Sequence, residues 1–160
     1  MIYSDLLRPL QKITTMPSKF YEHDAKSGLK DKRRLSVFID VLVSKYMKDI
    51  RTADLSYIFC SDDFLLEMNK NFLDHDTYTD IITFDLSENK KELQGEIYIS
   101  VDRVKENAKK FKTTYSDELH RVIFHGVLHL CGFKDKKEKD RKIMRENEDY
   151  CLDRYKKEMK

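Results

Sequence analysis

His125 and His129 stand four residues apart in FHGVLHLCGFKD, the stretch from Phe124 to Asp135. On a helix that spacing stacks two imidazoles one turn apart on one face. Two ring nitrogens can then meet one cation at about 2.0–2.1 Å, the usual histidine–zinc distance. Gly132 is a natural left-handed helix end that turns the chain back. Asp135 then offers a carboxylate as a third ligand. Three protein ligands leave a fourth position open, which is the pattern of a catalytic ion and not of a closed structural one. The chemistry such a site supports is metal-assisted hydrolysis.

Helical histidine pairs also occur in plain protein cores, so the surroundings must decide. Leu119, Val122, Ile123, Phe124, Val127, Leu128 and Leu130 make this helix apolar nearly all round, and such a helix is buried. An unpartnered buried polar group costs about 1–3 kcal/mol; one shared ion satisfies both rings. Gly126 costs about 1 kcal/mol relative to alanine in mid-helix. It therefore marks a close approach, either by substrate or by a neighbouring strand. In HExxH metalloproteases this position is the glutamate general base. Glycine here disfavours that chemistry and leaves a metal-activated water as the nucleophile candidate, with no catalytic side chain singled out.

The elements that position this helix are legible from their periods. Leu35–Met47 carries apolar residues at helical spacing. Leu55–Cys60, Thr79–Leu86 and Glu96–Val101 read as strands, with Phe20–His23 as a further short one. Asp62 or Asp63 caps a short helix running to about Phe72, and Leu73–Thr77 is a polar loop. Ser87–Gln94 is a hairpin-like connection, and Asp102–Phe111 is a basic helix. Ser116, Asp117 and Glu118 start the histidine helix, which runs over Asp117–Cys131. A last charged helix spans Glu138–Lys157, with Ile143, Met144, Tyr150, Cys151 and Leu152 as its apolar stripe. The order predicts an α+β fold: a single compact domain, a small mixed β-sheet packed with helices, and a central buried helix carrying HxxxH.

The 160 residues are 40% hydrophobic and 38% charged, with nine Phe and nine Tyr. That composition suits one globular domain and argues against disorder. Residues 1–17 contain both prolines and no strong period, and are expected to be a loosely attached leader to a hydrolase domain over 18–160. Met16 is a candidate alternative start. Ala25–Arg34 is a basic polar link. Three widely spaced cysteines without a CxxC pair favour neither disulfides nor a thiolate zinc site. No run approaches the roughly 18 apolar residues of a membrane span, so a cytoplasmic protein without membrane contact is expected. A net charge of only +2 means that any nucleic-acid partner must be met by a local patch.

With these residues in view, the sequence resembles the YbeY family of bacterial endoribonucleases, also called rRNA maturation factors. The family signature is H-G-x-L-H-L-x-G-[YF]-D-H, matched by His125, Gly126, Leu128, His129, Leu130, Gly132 and Phe133. Asn69 with Thr79–Phe84 matches a second family stretch, and Gly95, Glu96 and Ile97 a third. The similarity spans roughly residues 20–155. The family's third ligand is usually His, so this chain resembles the form with Asp at that place, Asp135. Lys134 replaces a usual Asp, and Leu73, with His75 nearby, stands where the family tends to have an Arg.

The resemblance implies single-strand-specific, metal-dependent endoribonuclease activity in rRNA 3′-end maturation and ribosome quality control. Single-stranded RNA or an rRNA precursor is the implied partner, with the small ribosomal subunit as a further one. One divalent metal ion is implied, zinc foremost. Asp80 and Glu96 could reach the site from strand ends as supporting groups, although acids there are often plain surface residues. Arg103, Lys105, Lys109, Lys110 and Lys112 could contact RNA phosphates, or simply form a solvated helix face. Two other classes stay open at this point. One is a metallohydrolase of a peptide or small phosphoester; the other is a ribosome-binding factor with a structural metal.

Overall fold

A computed structural model describes residues 14–15 and 17–158 of the protein. Its elements run β1 (Thr14–Thr15), β2 (Lys19–Glu22), α1 (Lys32–Tyr46), β3 (Thr52–Cys60), α2 (Asp62–Leu73), β4 (Ile81–Asp85), β5 (Glu92–Ser100), α3 (Val101–Lys110), α4 (Tyr115–Leu130) and α5 (Glu138–Glu158).

Alternation builds the sheet. Ala53, Leu55, Tyr57 and Phe59 of β3 are buried, with partly exposed residues between them. Leu93, Ile97 and Ile99 of β5 are buried in the same way. The two strands pair in parallel along their whole length, from Thr52↔Glu92 to Cys60↔Ser100, so their inward rows lie side by side. β4 pairs antiparallel to β5 and forms one edge. β1 and β2 both pair in parallel with β3 on its other side.

α1, α4 and α5 contribute the main core, where Phe38, Phe124 and Tyr155 meet with ring centroids 5.2–5.7 Å apart. α2 covers a smaller cluster of Cys60, Leu65 and Ile82. The fold is the expected α+β arrangement with the HxxxH helix at its centre. Two glycines let α4 sit close to the sheet. A Cβ on Gly126 would stand 2.8 Å from Ile97 Cγ2, and one on Gly95 2.6 Å from Leu130 Cδ1. The close approach at Gly126 is therefore made by strand side chains.

Several boundaries differ from the sequence expectation. β3 and β5 begin at Thr52 and Glu92, three and four residues earlier than expected, because parallel pairing continues through polar residues such as Asp54 and Gln94. β4 is shorter than the expected Thr79–Leu86. α1 begins at Lys32 and so takes in the end of the basic link. α4 starts at Tyr115, because the Thr114 side chain accepts from the Asp117 N–H at 3.1 Å and so caps it before Ser116. In α5, Ile143 and Tyr150 face outward, while Met144, Glu148, Cys151, Leu152 and Tyr155 are buried. Thr14 and Thr15 lie within the expected leader yet pair with β3. Residues 1–13 and Met16 lie outside the described residues. No described helix is long and apolar enough to cross a membrane.

Candidate metal centre

α4 carries both histidines on the face it turns toward α5 and the edge of the sheet. It ends in a hydrogen-bonded turn: Gly132 takes φ +102°, its N–H meets the His129 carbonyl at 3.0 Å, and the Phe133 N–H meets the Leu128 carbonyl at 3.1 Å. This left-handed ending is open to glycine and satisfies the last carbonyls of the helix. It also orients a ligand. The Phe133 carbonyl, returned by the turn, lies 2.9 Å from His129 Nδ1 and accepts its proton. The Phe133 ring is pinned edge-on against Tyr46 at 5.1 Å between centroids.

His125 is oriented from the other side. Its Nδ1 lies 2.8 Å from Glu148 Oε2 of α5. Glu148 is only 6% exposed, and its second oxygen accepts from Arg121 Nη1 at 3.3 Å. Arg121 in turn reaches Asp149 at 2.8 Å. With both Nδ1 atoms protonated toward protein acceptors, both Nε2 atoms present lone pairs. These converge on one oxygen: Asp135 Oδ2 stands 3.0 Å from His129 Nε2 and 3.3 Å from His125 Nε2.

The donor set suits a cation. Two imidazole lone pairs facing a carboxylate oxygen repel one another unless positive charge lies between them. Ligand atoms about 2.1 Å from a tetrahedral ion stand roughly 3.4 Å apart, close to the separations found here. His125, His129 and Asp135 are the group of ligating side chains close enough to share one ion among the described residues. Glycine at 126 places no acid beside them.

Asp80 lies close enough to His125 for their charges to interact. Burial raises its pKa, against the pull of His125. Its carboxylate has a long contact, 3.5 Å, from Asn107 Nδ2. Burial alone would lower the pKa of His125, but the hydrogen bond and charge of Glu148, helped by Asp80 and Asp135, outweigh it and raise the pKa.

Glu96 does not join this group. Gly95 faces Leu130 of α4, so strand alternation turns Glu96 to the opposite side of the sheet. There it accepts from the Tyr98 hydroxyl at 3.0 Å. Arg103 is also engaged elsewhere, 2.7 Å from Asp62 and 5.1 Å from the centre of the Tyr78 ring. Lys105, Lys109, Lys110 and Lys112 are exposed. Leu73 and His75 are exposed at the end of α2, and Asn69 shapes the loop there by donating to the Thr77 carbonyl at 2.8 Å.

Glu148, which holds His125, is not singled out by the sequence pattern. Its signal was its place on the buried stripe of α5, four residues after Met144 and four before Leu152. A carboxylate there needs a partner inside the protein.

The family model for endoribonuclease YbeY matches residues 20–156. A protein from Cytophaga hutchinsonii named "Endoribonuclease YbeY" is 48% identical over 133 residues, covering 83% of this chain and 92% of its own length. One of the same name from Flavobacterium psychrophilum is 53% identical over 99 residues, covering 62% of this chain and 70% of its own. The solution structure of TM1509 from Thermotoga maritima is similar with a TM-score of 0.56 at 28% identity, covering 89% of this chain and 91% of that one. With the signature residues gathered at one centre and the match running nearly end to end through the described domain, the chain belongs to the endoribonuclease YbeY family.

Proposed function

We propose that the protein is a single-strand-specific, metal-dependent endoribonuclease acting in rRNA 3′-end maturation and ribosome quality control in the cytoplasm. The observation that carries this reading is the convergence of two oriented Nε2 atoms on one carboxylate oxygen, in a chain of this family. His125, His129 and Asp135 would hold the ion, with zinc the best match to two imidazoles and one carboxylate. When bound, a divalent cation supplies a Lewis acid for a phosphoryl oxygen and acidifies water.

The chain's own groups set the rest. Glu148 and the Phe133 carbonyl fix which ring nitrogens face the ion. Asp80, partly buried beside His125 and raised in pKa, is the nearby carboxyl best suited to carry a proton. Lys105, Lys109, Lys110 and Lys112 are exposed and can meet phosphates, whereas Arg103 is held by Asp62. The small ribosomal subunit is the proposed setting, since it presents the rRNA precursor.

The test is cleavage of a single-stranded RNA by zinc-loaded wild type, His129→Ala and Asp135→Ala. Cleavage by wild type that falls to background in both variants supports the reading. Equal cleavage by all three traces the activity to a contaminant and sinks it. No cleavage, with retained binding to ribosomal subunits, would favour a non-catalytic factor.

A further inference from the structure

Asp135 is embedded in a run of positive charge. Between Lys134 and Arg145 stand seven Lys or Arg and three acids, one of them Asp135 itself, while the whole chain carries only +2. The rest of the protein is thus slightly acidic, and the excess is concentrated at the metal centre. Lys134 and Lys136 flank the ligand directly, so their Cα atoms lie about 3.8 Å from that of Asp135.

Part of this charge is neutralised, Arg145 leaning toward Glu148 at 3.9 Å. Among the described residues, the side chains of Lys134, Lys136, Lys137, Lys139 and Lys142 form no ion pair. All five are exposed. The backbone beneath them is fixed: Arg141 Nη1 donates to the Lys136 carbonyl at 2.8 Å, and its N–H to that of Lys137 at 2.9 Å. The Phe133 carbonyl is tied to His129. On α3, by contrast, Arg103 is committed to Asp62, Lys109 leans toward Glu106 at 4.0 Å, and Lys105 and Lys110, though without ion pairs, lie over the Tyr115 and Phe111 rings. An unpaired row of exposed ammonium groups bordering a phosphodiester-cleaving centre gives up no ion pair on binding and favours a polyanionic strand.

We propose that Lys134, Lys136 and Lys137 are the principal phosphate-binding surface for the single-stranded RNA, holding it across the metal centre. This rests on the endoribonuclease reading.

The test is fluorescence anisotropy with a labelled single-stranded 2′-O-methyl RNA, titrated with zinc-loaded protein over a range of salt. Three proteins are compared: wild type, the triple variant Lys134→Gln/Lys136→Gln/Lys137→Gln, and a control, Lys26→Gln/Lys30→Gln/Lys32→Gln. The control lysines lie beside the start of α1, whose Asp31 meets Tyr155, about two turns along α5 from Glu148. Thermal unfolding confirms that each variant is folded. The site triple should bind about tenfold or more weakly. Its slope of log K against log salt should fall by about 2, at roughly 0.7 for each single-strand phosphate that the protein no longer neutralises. The control should match wild type. A site triple that binds like wild type, or a control that weakens equally, overturns the proposal while leaving the endoribonuclease reading standing. A wild type that binds no single-stranded RNA overturns both.

Discussion

At the scale of single residues, the centre depends on which nitrogen of each ring carries its proton. A histidine whose Nδ1–H is held by an acceptor offers Nε2 to an ion in one fixed orientation. The backbone does this for His129, through a carbonyl that the Gly132 turn returns to the ring. Glu148 does it for His125, from a buried position that cannot be left empty without leaving Arg121 less well paired. Glu148→Ala is expected to weaken zinc binding about 10–100-fold, the usual cost of losing such a partner. Glu148→Gln keeps an acceptor oxygen but loses the charge, and should fall between the two. Competition with a chromophoric chelator measures both. Wild-type affinity in the alanine variant would show that His125 needs no partner.

At the scale of elements, the site stands where α4, α5 and the sheet edge meet, and a second polar contact keeps those helices together. Asp31, at the start of α1, receives the Tyr155 hydroxyl of α5 and lies 3.0 Å from His120 Nε2 of α4. Burial raises the pKa of Asp31, but the hydrogen bonds from Tyr155 and His120 and the charge of His120 outweigh it, so the pKa lies below its ordinary value of 3.8. A carboxyl with a lowered folded-state pKa contributes stability that is present above the unfolded value and lost as pH falls through the folded one. Asp31→Asn should therefore be less stable than wild type near neutral pH, by about 1–2 kcal/mol for a partly buried charged hydrogen-bond partner. The gap should close as pH drops below 3.8 toward the folded-state value. Urea midpoints of both proteins across that range check it; a gap that stays constant would show that the carboxylate charge is not what joins the helices.

At the scale of the whole molecule, local spacing revealed more than long-range contact did. The HxxxH pair, the Gly132 turn and Asp135 lie within one short segment, where helix geometry alone brings them together. Local periods mark β3 and β5 but not their first residues, because parallel neighbours sustain polar residues that no period announces. An acid at a strand end such as Glu96 has no face until the pleat is known, and the pleat turns it away from α4. Glu148 was hidden among the many charges of α5, and only packing against α4 distinguishes it. These parts fit one shared ion, and its position is the central claim. A crystal of the zinc-loaded protein, with anomalous data collected across the zinc edge, tests it most directly. The expected result is one peak about 2.0–2.2 Å from His125 Nε2, His129 Nε2 and an Asp135 carboxylate oxygen, with a fourth position not filled by the protein. A peak that omits Asp135 or lies elsewhere, or no peak at all, would contradict the claim.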